Sequence, residues 1–383
     1  MTPDEKIIKS ITLLKTFIES EQYKGYDPYD GLTSPLFRLP LLKSNHKLRF
    51  LSQQFLKRFP INIRPILGIQ KRLNPVSIGL AIQGYVQMTT PSNAKSNQKK
   101  IIELIQELQK LIPQGYTGAC WGYDFPWEAR YASIPAYQPT LVATGIISHA
   151  LYLAWKKLGI VEAKELIIQC CAFTEKHIHR STESDGSFCF SYSPFDQEKV
   201  FNASMKGARL MAQGYEITGN QAWNTMAKGA VAYVMKFQRE DGAWIYSQRE
   251  TGAWIDNYHT GYILDCLDEY QNCTDDSTWS LNLSKGIQFY TSTFILESGQ
   301  AKFYDKNPWP ADCTAAGQTL LSLSRFGYRD LAKKVALWNI DNMQHKKGYF
   351  YFRKYPYYTN TSNFMRWSNA WMFAGLTTLN ITK

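Results

Sequence analysis

The stretch WIDNYHTGYILDCLDEY, residues 254–270, opens with side chains that can do chemistry. Tyr258 and His259 can exchange protons, Asp256 can donate a proton or accept hydrogen bonds, and Trp254 offers a flat face for stacking. Apolar residues then follow at helical spacing, which predicts a buried helix. The polar start either caps this helix or lines a site, because Asp is a preferred N-cap residue.

Other segments also place polar or aromatic side chains ahead of an apolar run. Asn202 and Asp312 each precede such a run, and so does the pair Arg366 and Trp367. Capping would account for each Asn or Asp taken singly. Taken together, the set contains acids, a histidine, a tyrosine, an arginine and tryptophans, which are groups that move protons and stack on flat ligands. Whether they form one site depends on the elements that carry them.

A short aromatic phrase with a glycine recurs along the chain. It reads DGSFCFSY at 185–192, DGAWIYS at 241–247, GQAKFYD at 299–305 and KGYFYFR at 347–353, with a looser relative, TGACWGYDFPW, at 117–127. The steps from Gly186 to Gly242, Gly299 and Gly348 are 56, 57 and 49 residues. Each phrase predicts a glycine turn followed by a short strand with alternating aromatic residues.

Two kinds of helix alternate between these phrases. One kind is apolar on more than one face, which predicts burial on most sides; it covers 138–159, 202–219, 256–270, 312–327 and 366–379. The second kind is amphipathic and covers 161–178, 220–238 and 281–295. Three of the buried helices end near a glycine, at 159, 219 or 327, which predicts a C-cap.

Units of this length stack because none can bury its apolar stripe alone. The sequence therefore predicts an all-α fold, an (α/α) toroid of about six to seven helical hairpins, with short aromatic β-hairpins at one mouth. An open α-solenoid is the structural alternative. We divide the chain into an N-terminal basic helical segment, 1–110, which supplies the first hairpins, and the repeat-built toroid, 111–383, which carries the site.

All inner helices of a toroid point the same way, so the loops before them meet at one mouth. This predicts one site there, with Tyr258, His259, Asp256 and Asp312 as catalytic candidates. The candidate substrate-binding residues carry aromatic, amide or charged side chains: Trp121, Asp124, Arg130, Asn202, Trp244, Trp254, Arg366 and Trp367. Each exposed helix N-terminus favours an anion by roughly 0.3–1 kcal/mol, which suits an acidic ligand.

The formal net charge of +11 also favours an anionic partner. Much of the excess is scattered or lies in the first 110 residues, where 41–65 mixes Lys, Arg, Leu and Phe as helices at membrane surfaces do. A solvated helix face is the alternative interpretation of this segment. No continuous basic stripe is visible elsewhere, so we expect no nucleic-acid partner.

The seven cysteines form no CxxC pair, and no histidine-rich ligand set accompanies them. We therefore expect no metal site, no disulfide framework and no cofactor. The first residues do not resemble a signal peptide, and no apolar run is long enough to span a bilayer. These features predict a cytoplasmic protein with peripheral contact to an anionic inner membrane through the basic segment.

Two short motifs resemble those of triterpene cyclases. FQREDGAWIYS, at 237–247, is similar to their Gln…Gly-x-Trp repeats, and DCTAAGQ, at 312–318, is similar to the Asp-Cys-Thr-Ala motif of oxidosqualene cyclases. The resemblance implies that Asp312 is a proton donor. Those enzymes are far longer, with two helical barrels and many such repeats, so terpene cyclisation is a minor alternative.

A broader resemblance covers nearly the whole chain. It rests on YKGYDPYDGLTSPL (23–36), CWGYDFPWEARYASIPAYQPTLVAT (120–144), the stretch at 254–270 and GYFYFRKYPYYTNTSNFMRWSNAWM (348–372). These segments resemble a largely uncharacterised group of toroid proteins encoded among genes for bacterial surface polysaccharides. The group is similar in architecture to the helical domain of glucuronyl C5-epimerases and to toroid polysaccharide lyases and hydrolases. We expect a His in that group at the position where this chain has Thr314.

The resemblance implies an enzyme that processes an acidic, uronate-containing glycan in bacterial surface polysaccharide biosynthesis. Abstraction of the C5 proton, by an epimerase or a lyase, needs a base, an acid and a group that neutralises the carboxylate. Tyr258 and His259 are the candidate base and acid, Arg366 or Arg130 the candidate cation, and Asn202 an assisting amide.

Glycoside hydrolysis is the nearest alternative and needs two carboxylates flanking one bond. Asp124 or Glu128, paired with Asp256 or Asp312, could supply them. A non-catalytic glycan-binding scaffold is the remaining alternative, and it needs only the Trp and Tyr platforms.

Overall fold

The computed structural model describes residues 1–128 and 133–379. Its α-helices are α1 (Pro3–Ser20), α2 (Pro40–Lys43), α3 (His46–Arg58), α4 (Pro75–Gln87), α5 (Ala94–Lys110), α6 (Leu141–Leu158), α7 (Val161–His177), α8 (Phe201–Thr218), α9 (Gln221–Met235), α10 (Asn257–Thr274), α11 (Ser280–Phe294), α12 (Cys313–Arg325), α13 (Arg329–Met343) and α14 (Trp371–Thr377). A π-helical segment, Met365–Ala370, leads directly into α14. None of the described helices is long and apolar enough to cross a bilayer.

Six helices form the inner ring. Each inner helix contacts the next one in sequence order, from α4 through α6, α8, α10 and α12 to α14, and α14 contacts α4. Most residues of these helices are buried, including long stretches of α4, α6 and α8, as the all-round apolar pattern predicts. The ring is closed, so the predicted (α/α) toroid is confirmed over the open solenoid.

The outer ring consists of α5, α7, α9, α11 and α13, each packed against the inner helix that precedes it, and of α1, which packs against α13 and α14. These helices bury one face, as their amphipathic patterns require. The two ends of the chain therefore meet. Lys6 forms an ion pair with Asp341, and Tyr26 forms a β-bridge with Phe364.

Short antiparallel strand pairs stand before the N-termini of several inner helices. The strands are β1 (Lys24–Gly25), β2 (Arg72–Leu73), β3 (Trp127–Glu128), β4 (Ser133–Ile134), β5 (Arg180–Thr182), β6 (Phe188–Phe190), β7 (Ala311–Asp312), β8 (Arg353–Lys354) and β9 (Thr359–Asn360). β1 pairs with β2, β3 with β4 and β5 with β6, and β7, β8 and β9 form a three-stranded sheet. The strands thus lie at the mouth where the inner helices begin.

The aromatic phrases form strands only in part. The strand predicted after Gly186 is present as β6, whereas the residues after Gly242 form a single bridge, from Ser247 to Val200. The chain turns into a 3₁₀ helix at Glu250–Gly252, so no second strand runs alongside.

The repeated glycines have a packing reason. Gly242, Gly299 and Gly348 have φ of 91°, 89° and 99°, in the region that favours glycine. A Cβ at Gly242 or Gly299 would stand 2.5 Å from a backbone carbonyl oxygen of the next outer helix. At Gly242, Gly299 and Gly348 the phrase therefore fixes its loop against an outer helix through a contact that only glycine allows, whereas a Cβ at Gly186 would meet nothing within 4 Å.

Candidate active site

A cavity of about 230 Å³ opens among the N-terminal ends of the inner helices. Its helical lining comes from Val142 and Ile146 of α6, Asn202 of α8, Tyr258, His259 and Tyr262 of α10, Thr314 of α12, and Arg366, Trp367 and Trp371 at the last inner helix. The loops add Tyr29, Tyr123, Phe125, Trp127, Tyr192, Tyr246 and Trp254. The structure therefore brings together six of the predicted site residues: Asn202, Trp254, Tyr258, His259, Arg366 and Trp367.

His259 is held by the first turn of its own helix. Asp256 caps α10 by accepting a hydrogen bond from the His259 backbone N–H at 3.0 Å. The second carboxylate oxygen of Asp256 lies 2.7 Å from His259 Nδ1 and accepts from Trp254 Nε1 at 2.9 Å. Because Asp256 accepts at Nδ1, the proton sits there and Nε2 is left as the basic nitrogen. Asp256 thus caps the helix and also orients the imidazole of His259.

Aromatic rings surround His259. The rings of Tyr258 and His259 have centroids 4.1 Å apart, and Tyr246 stacks on Trp254 at 4.5 Å with an interplanar angle of 14°. Burial, and next the Asp256 carboxylate, hold the pKa of the Tyr258 phenol well above its usual value. Tyr258 therefore keeps its phenolic proton at neutral pH and is not available as a base.

Asn202 presents an unsatisfied group at the cavity. The residue is 2% exposed, and its Oδ1 has no hydrogen-bond partner among the described residues. A buried acceptor without a partner costs about 1–3 kcal/mol. A ligand hydroxyl or amide N–H that donated to Asn202 Oδ1 would remove that penalty.

Arg366 is a paired cation. Its Nε and NH2 donate to the two oxygens of Asp27 at 2.6 and 2.8 Å, and both side chains are buried. The Arg366 guanidinium also lies 4.7 Å from the ring centroid of Tyr123. The guanidinium therefore borders the cavity with much of its charge already balanced, and it orders the aromatic wall beside it.

Asp312 lies behind the cavity lining. One carboxylate oxygen caps α12 through the N–H groups of Thr314 and Ala315, and the other accepts from Arg353 Nε at 2.6 Å. Trp367 Nε1 lies 3.2 Å from both oxygens. The Asp312 side chain has no exposed surface. Its observed contacts position Trp367, which does reach the cavity.

Three further predicted residues lie outside the cavity lining. Trp121 and Trp244 are buried in the core, where their indole N–H groups donate to the carbonyls of Leu108 and Val234. Asp124 is buried and accepts from Asn74, and burial, with the nearby charge of Asp27 next, raises the pKa of Asp124 to about 7. Arg130 lies outside the described residues.

Several aromatic residues of the cavity wall are not among the site residues predicted from the sequence: Tyr29, Tyr192, Tyr246, Tyr262 and Trp371. Tyr192 and Tyr246 lie in the repeated aromatic phrases, and Tyr29 lies in the 23–36 segment. The repeated phrases indicate that aromatic rings lie near the mouth. They do not show which ring of each phrase turns toward the cavity.

The cavity lining lacks a carboxylate within residues 1–128 and 133–379. Asp124, Asp256 and Asp312 are engaged as described above, and Glu128 is bound by Arg49 and Ser133. No group of three or more metal-ligating side chains occurs within the same residues. The groups presented to a ligand are therefore an imidazole, phenols, an amide, a guanidinium and indole faces.

Comparison with known proteins places this cavity in a recurrent architecture. No protein-family model matches the chain, and no curated protein matches its sequence. Solved structures do match. The cellobiose 2-epimerase of Bacillus thermoamylovorans B4167 is 9% identical with a TM-score of 0.62, over 82% of this chain and 90% of that one. The chain has the same toroid fold.

Two further structures extend the likeness. The unsaturated glucuronyl hydrolase of Bacillus sp. GL1 is 10% identical with a TM-score of 0.63, over 99% of this chain and 97% of that one. A D-mannose isomerase is 12% identical with a TM-score of 0.55, over 81% of this chain and 88% of that one. At such identities the likeness establishes the fold, and the side chains of this chain must carry any statement about its chemistry.

Proposed function

We propose that this protein is a carbohydrate-processing enzyme that abstracts a carbon-bound proton from a sugar in the cavity at the N-terminal mouth. The observation that carries the proposal is His259, whose Nδ1 is held by Asp256 at 2.7 Å while the imidazole borders an aromatic cavity. A histidine fixed in one tautomer is a suitable general base near neutral pH. The toroid neighbours, named as an epimerase, an isomerase and a hydrolase of sugars, support the substrate class.

The preferred substrate is a uronate-containing, acidic glycan. Proton removal is easiest beside a carboxyl or carbonyl group, because the negative charge left on carbon spreads onto oxygen. Helix N-termini converge at this mouth, Arg366 borders it, and the chain carries a net charge of +11. The resemblance of the sequence to proteins of surface polysaccharide gene clusters supports the same substrate class and suggests that setting.

In the proposed reaction, His259 Nε2 takes the C5 proton and the electron pair moves toward the carboxyl group. In a lyase the pair then expels the substituent at C4, and Tyr258 donates the proton that the leaving oxygen needs. In an epimerase a proton returns to C5 from the opposite face. Tyr258 and His259 are neighbours on one wall, with ring centroids 4.1 Å apart, which favours removal of a proton and a leaving group from one face of the sugar.

Glycoside hydrolysis by paired carboxylates has less support. That reaction needs an acid and a second carboxylate on either side of the scissile bond. The described cavity lining presents neither. Asp124 and Asp256 are the nearest candidates on chemical grounds, and their oxygens bind Asn74, His259 and Trp254.

The test is turnover of uronate polymers and oligosaccharides in heavy water. A lyase produces the ultraviolet absorbance of a 4,5-unsaturated uronate, and an epimerase incorporates deuterium at C5 without cleavage. His259→Gln should abolish either signal, whereas the matched control His345→Gln, whose side chain lies outside the cavity lining, should retain it. New reducing ends without absorbance or deuterium, unaffected by His259→Gln, would refute the proposal.

A further inference from the structure

A second cavity lies at the opposite end of the inner ring. It has a volume of about 320 Å³, within the range of small-molecule sites of about 300–1,000 Å³. Ile146, Tyr262 and Trp371 border both cavities and form the layer between them. The rim of the second cavity includes Gln87 and Lys157, near the C-terminal ends of α4 and α6.

Lys206 is the unusual group in this cavity. It is 2% exposed, and no hydrogen bond or ion pair joins its Nζ to any described residue. Its ammonium lies 3.5 Å from the centroid of the Tyr262 ring. Among the described residues, the Tyr262 ring offsets only part of the hydration that this buried ammonium loses, and the missing acceptor points to an absent anionic partner.

Positive side chains also outnumber negative ones in the described lining around Lys206. Arg209 is 5% exposed and uses one N–H group on the Gly145 carbonyl at 2.7 Å. Lys157, at the rim, donates to Gln87 at 2.9 Å. Asp265 is the single carboxylate of the described lining, and its two oxygens already accept from Gln318 and Ser322. The fourth cation of the lining, Arg325, is already paired outside the cavity with two carboxylates. Lys206 and Arg209 therefore outnumber the one carboxylate that lines the cavity with them.

Helix dipoles do not explain these cations. A cation near a helix C-terminus compensates the negative end of that helix, which accounts for basic residues in a last turn. Lys206 and Arg209, however, lie in the first half of α8, Phe201–Thr218. They are placed toward the cavity by their i, i+3 spacing on one face of the helix.

We propose that this second cavity binds a phosphate dianion, either free or as the phosphoryl group of a small molecule, with Lys206 and Arg209 as its buried ligands. A phosphate offers several acceptor oxygens, which can accept from the Lys206 ammonium and from the N–H groups of Arg209 that the Gly145 carbonyl does not engage. This site is separate from the proposed catalytic cavity, so either proposal can fail without the other.

Calorimetric titration with inorganic phosphate, at constant ionic strength and neutral pH, tests the site. We expect saturable binding that weakens at least about tenfold in Lys206→Met, the equivalent of one lost charge-assisted hydrogen bond. Lys285→Met, on the exposed face of α11, is the matched control and should bind as the parent does. If Lys206→Met fails to fold, Lys157→Met at the exposed rim takes its place, with binding weakened several-fold.

Further titrations distinguish the source of the phosphate. Tighter binding of glucose 6-phosphate than of inorganic phosphate assigns the site to a phosphorylated small molecule, and equal binding assigns it to free phosphate. The proposal is overturned if phosphate gives no saturable heat, or if Lys206→Met and Lys157→Met both bind like the parent. It is also overturned if glucuronate, a monocarboxylate, binds as tightly as phosphate.

A different observation concerns the surface formed by residues 36–66, which we call the basic apolar surface. This segment contains seven Lys and Arg residues and no Asp or Glu. Four of the seven are exposed, namely Arg38, Lys43, Lys47 and Arg58, whereas Arg49 and Arg64 pair with Glu128 and Asp30 and Lys57 donates to Tyr29. Large apolar side chains are exposed along it: Leu36 (48%), Leu39 (54%), Leu48 (38%), Leu51 (61%), Phe55 (57%), Ile61 (65%) and Ile66 (85%). Exposed apolar side chains concentrated in one segment favour an interaction site there.

The arrangement within α3 fits a membrane surface. Leu48, Leu51 and Phe55 follow at helical spacing and form one exposed stripe. Exposed cations, among them Lys47 and Arg58, flank the stripe. Apolar residues that enter the headgroup region, with basic residues beside them, are the signature of helices that lie on anionic bilayers.

We infer that the basic apolar surface docks the protein on an anionic bilayer. The protein should sediment together with phosphatidylglycerol-containing vesicles. With neutral phosphatidylcholine vesicles it should stay in the supernatant. The double substitution Leu51→Ser and Phe55→Ser should weaken binding of the protein to the anionic vesicles at least about tenfold. Leu281→Ser, equally exposed (68%) but on α11, is the control and should leave it unchanged. Equal sedimentation of all variants, or self-association through this surface without vesicle binding, would overturn the inference.

Discussion

Replacement of Lys206 by methionine should stabilise the protein in the absence of a ligand. Methionine has a similar length and fits the same space against Tyr262, but it carries no charge to desolvate. Burial lowers the pKa of Lys206 from 10.5 to about 7, and the nearby charge of Arg209 adds to this effect. The folded state therefore disfavours the ammonium that the unfolded state readily carries.

The magnitude follows from the pKa difference. At about 1.4 kcal/mol per pKa unit, a fall from 10.5 to about 7 corresponds to a penalty of about 5 kcal/mol when the group is fully charged. The methionine loses the cation–π contact with Tyr262, a contact worth about 2 kcal/mol when desolvated. The net expectation is an increase of about 3 kcal/mol in the free energy of unfolding.

The assay is urea unfolding of the parent and of Lys206→Met across pH, in buffers free of phosphate and sulfate. Between about pH 7 and pH 10.5 the unfolded parent binds a proton at Lys206 that the folded parent does not. The lysine penalty is therefore complete below pH 7 and fades as the pH rises. The stability difference between the two proteins should narrow by about 2–3 kcal/mol between about pH 6 and about pH 9.

Two outcomes would refute this reasoning. If Lys206→Met is less stable than the parent at about pH 6, the ammonium has a compensating partner that the structure does not contain. If the difference between the two proteins is independent of pH, the pKa of Lys206 is not lowered. Lys285→Met should change the unfolding free energy by no more than about 0.5 kcal/mol, because its side chain is exposed.

Three further predictions test other parts of the structure. His259→Gln should lower turnover by about 10²–10⁴-fold, the usual contribution of a general base, and leave the melting temperature nearly unchanged, as kinetics and calorimetry would show. Asp27→Asn should lower the free energy of unfolding by about 3–5 kcal/mol in urea titrations, because it leaves the buried Arg366 without its carboxylate. Gly242→Ala should cost at least about 2 kcal/mol more than Gly186→Ala in the same titrations. Both glycines have positive φ, but only the Cβ at Gly242 would meet a backbone carbonyl, at 2.5 Å.

Much of the fold could be predicted because each repeat carries its own signals. The glycines of the aromatic phrases and the all-round apolar helices indicate stacked hairpins, and Gly159 and Gly219 close their helices in the predicted left-handed conformation. The inner helix α4 was not recognised individually, because no aromatic phrase precedes it. Its local signal is Asn74 followed by Pro75, an N-cap residue and a preferred first helical residue.

The candidate site could be predicted where it depends on local spacing. Asp256 and His259 are three residues apart at a helix start, so a cap and a side-chain pair can coexist there. The partner of Arg366 could not be predicted, because Asp27 is 339 residues away and reaches it only when the ring closes. The unpaired Lys206 was likewise hidden, since its neighbours come from other inner helices.

The position of Asp312 bears on the terpene-cyclase resemblance and on the hydrolase alternative together. In either role its carboxyl group would have to reach the substrate, yet its oxygens bind two backbone N–H groups, Arg353 and Trp367. His259 differs from Asp312 in this respect. Asp256 binds only its Nδ1, and the imidazole borders the cavity. We therefore place the proton transfer at His259 and give Asp312 the role of positioning the indole of Trp367.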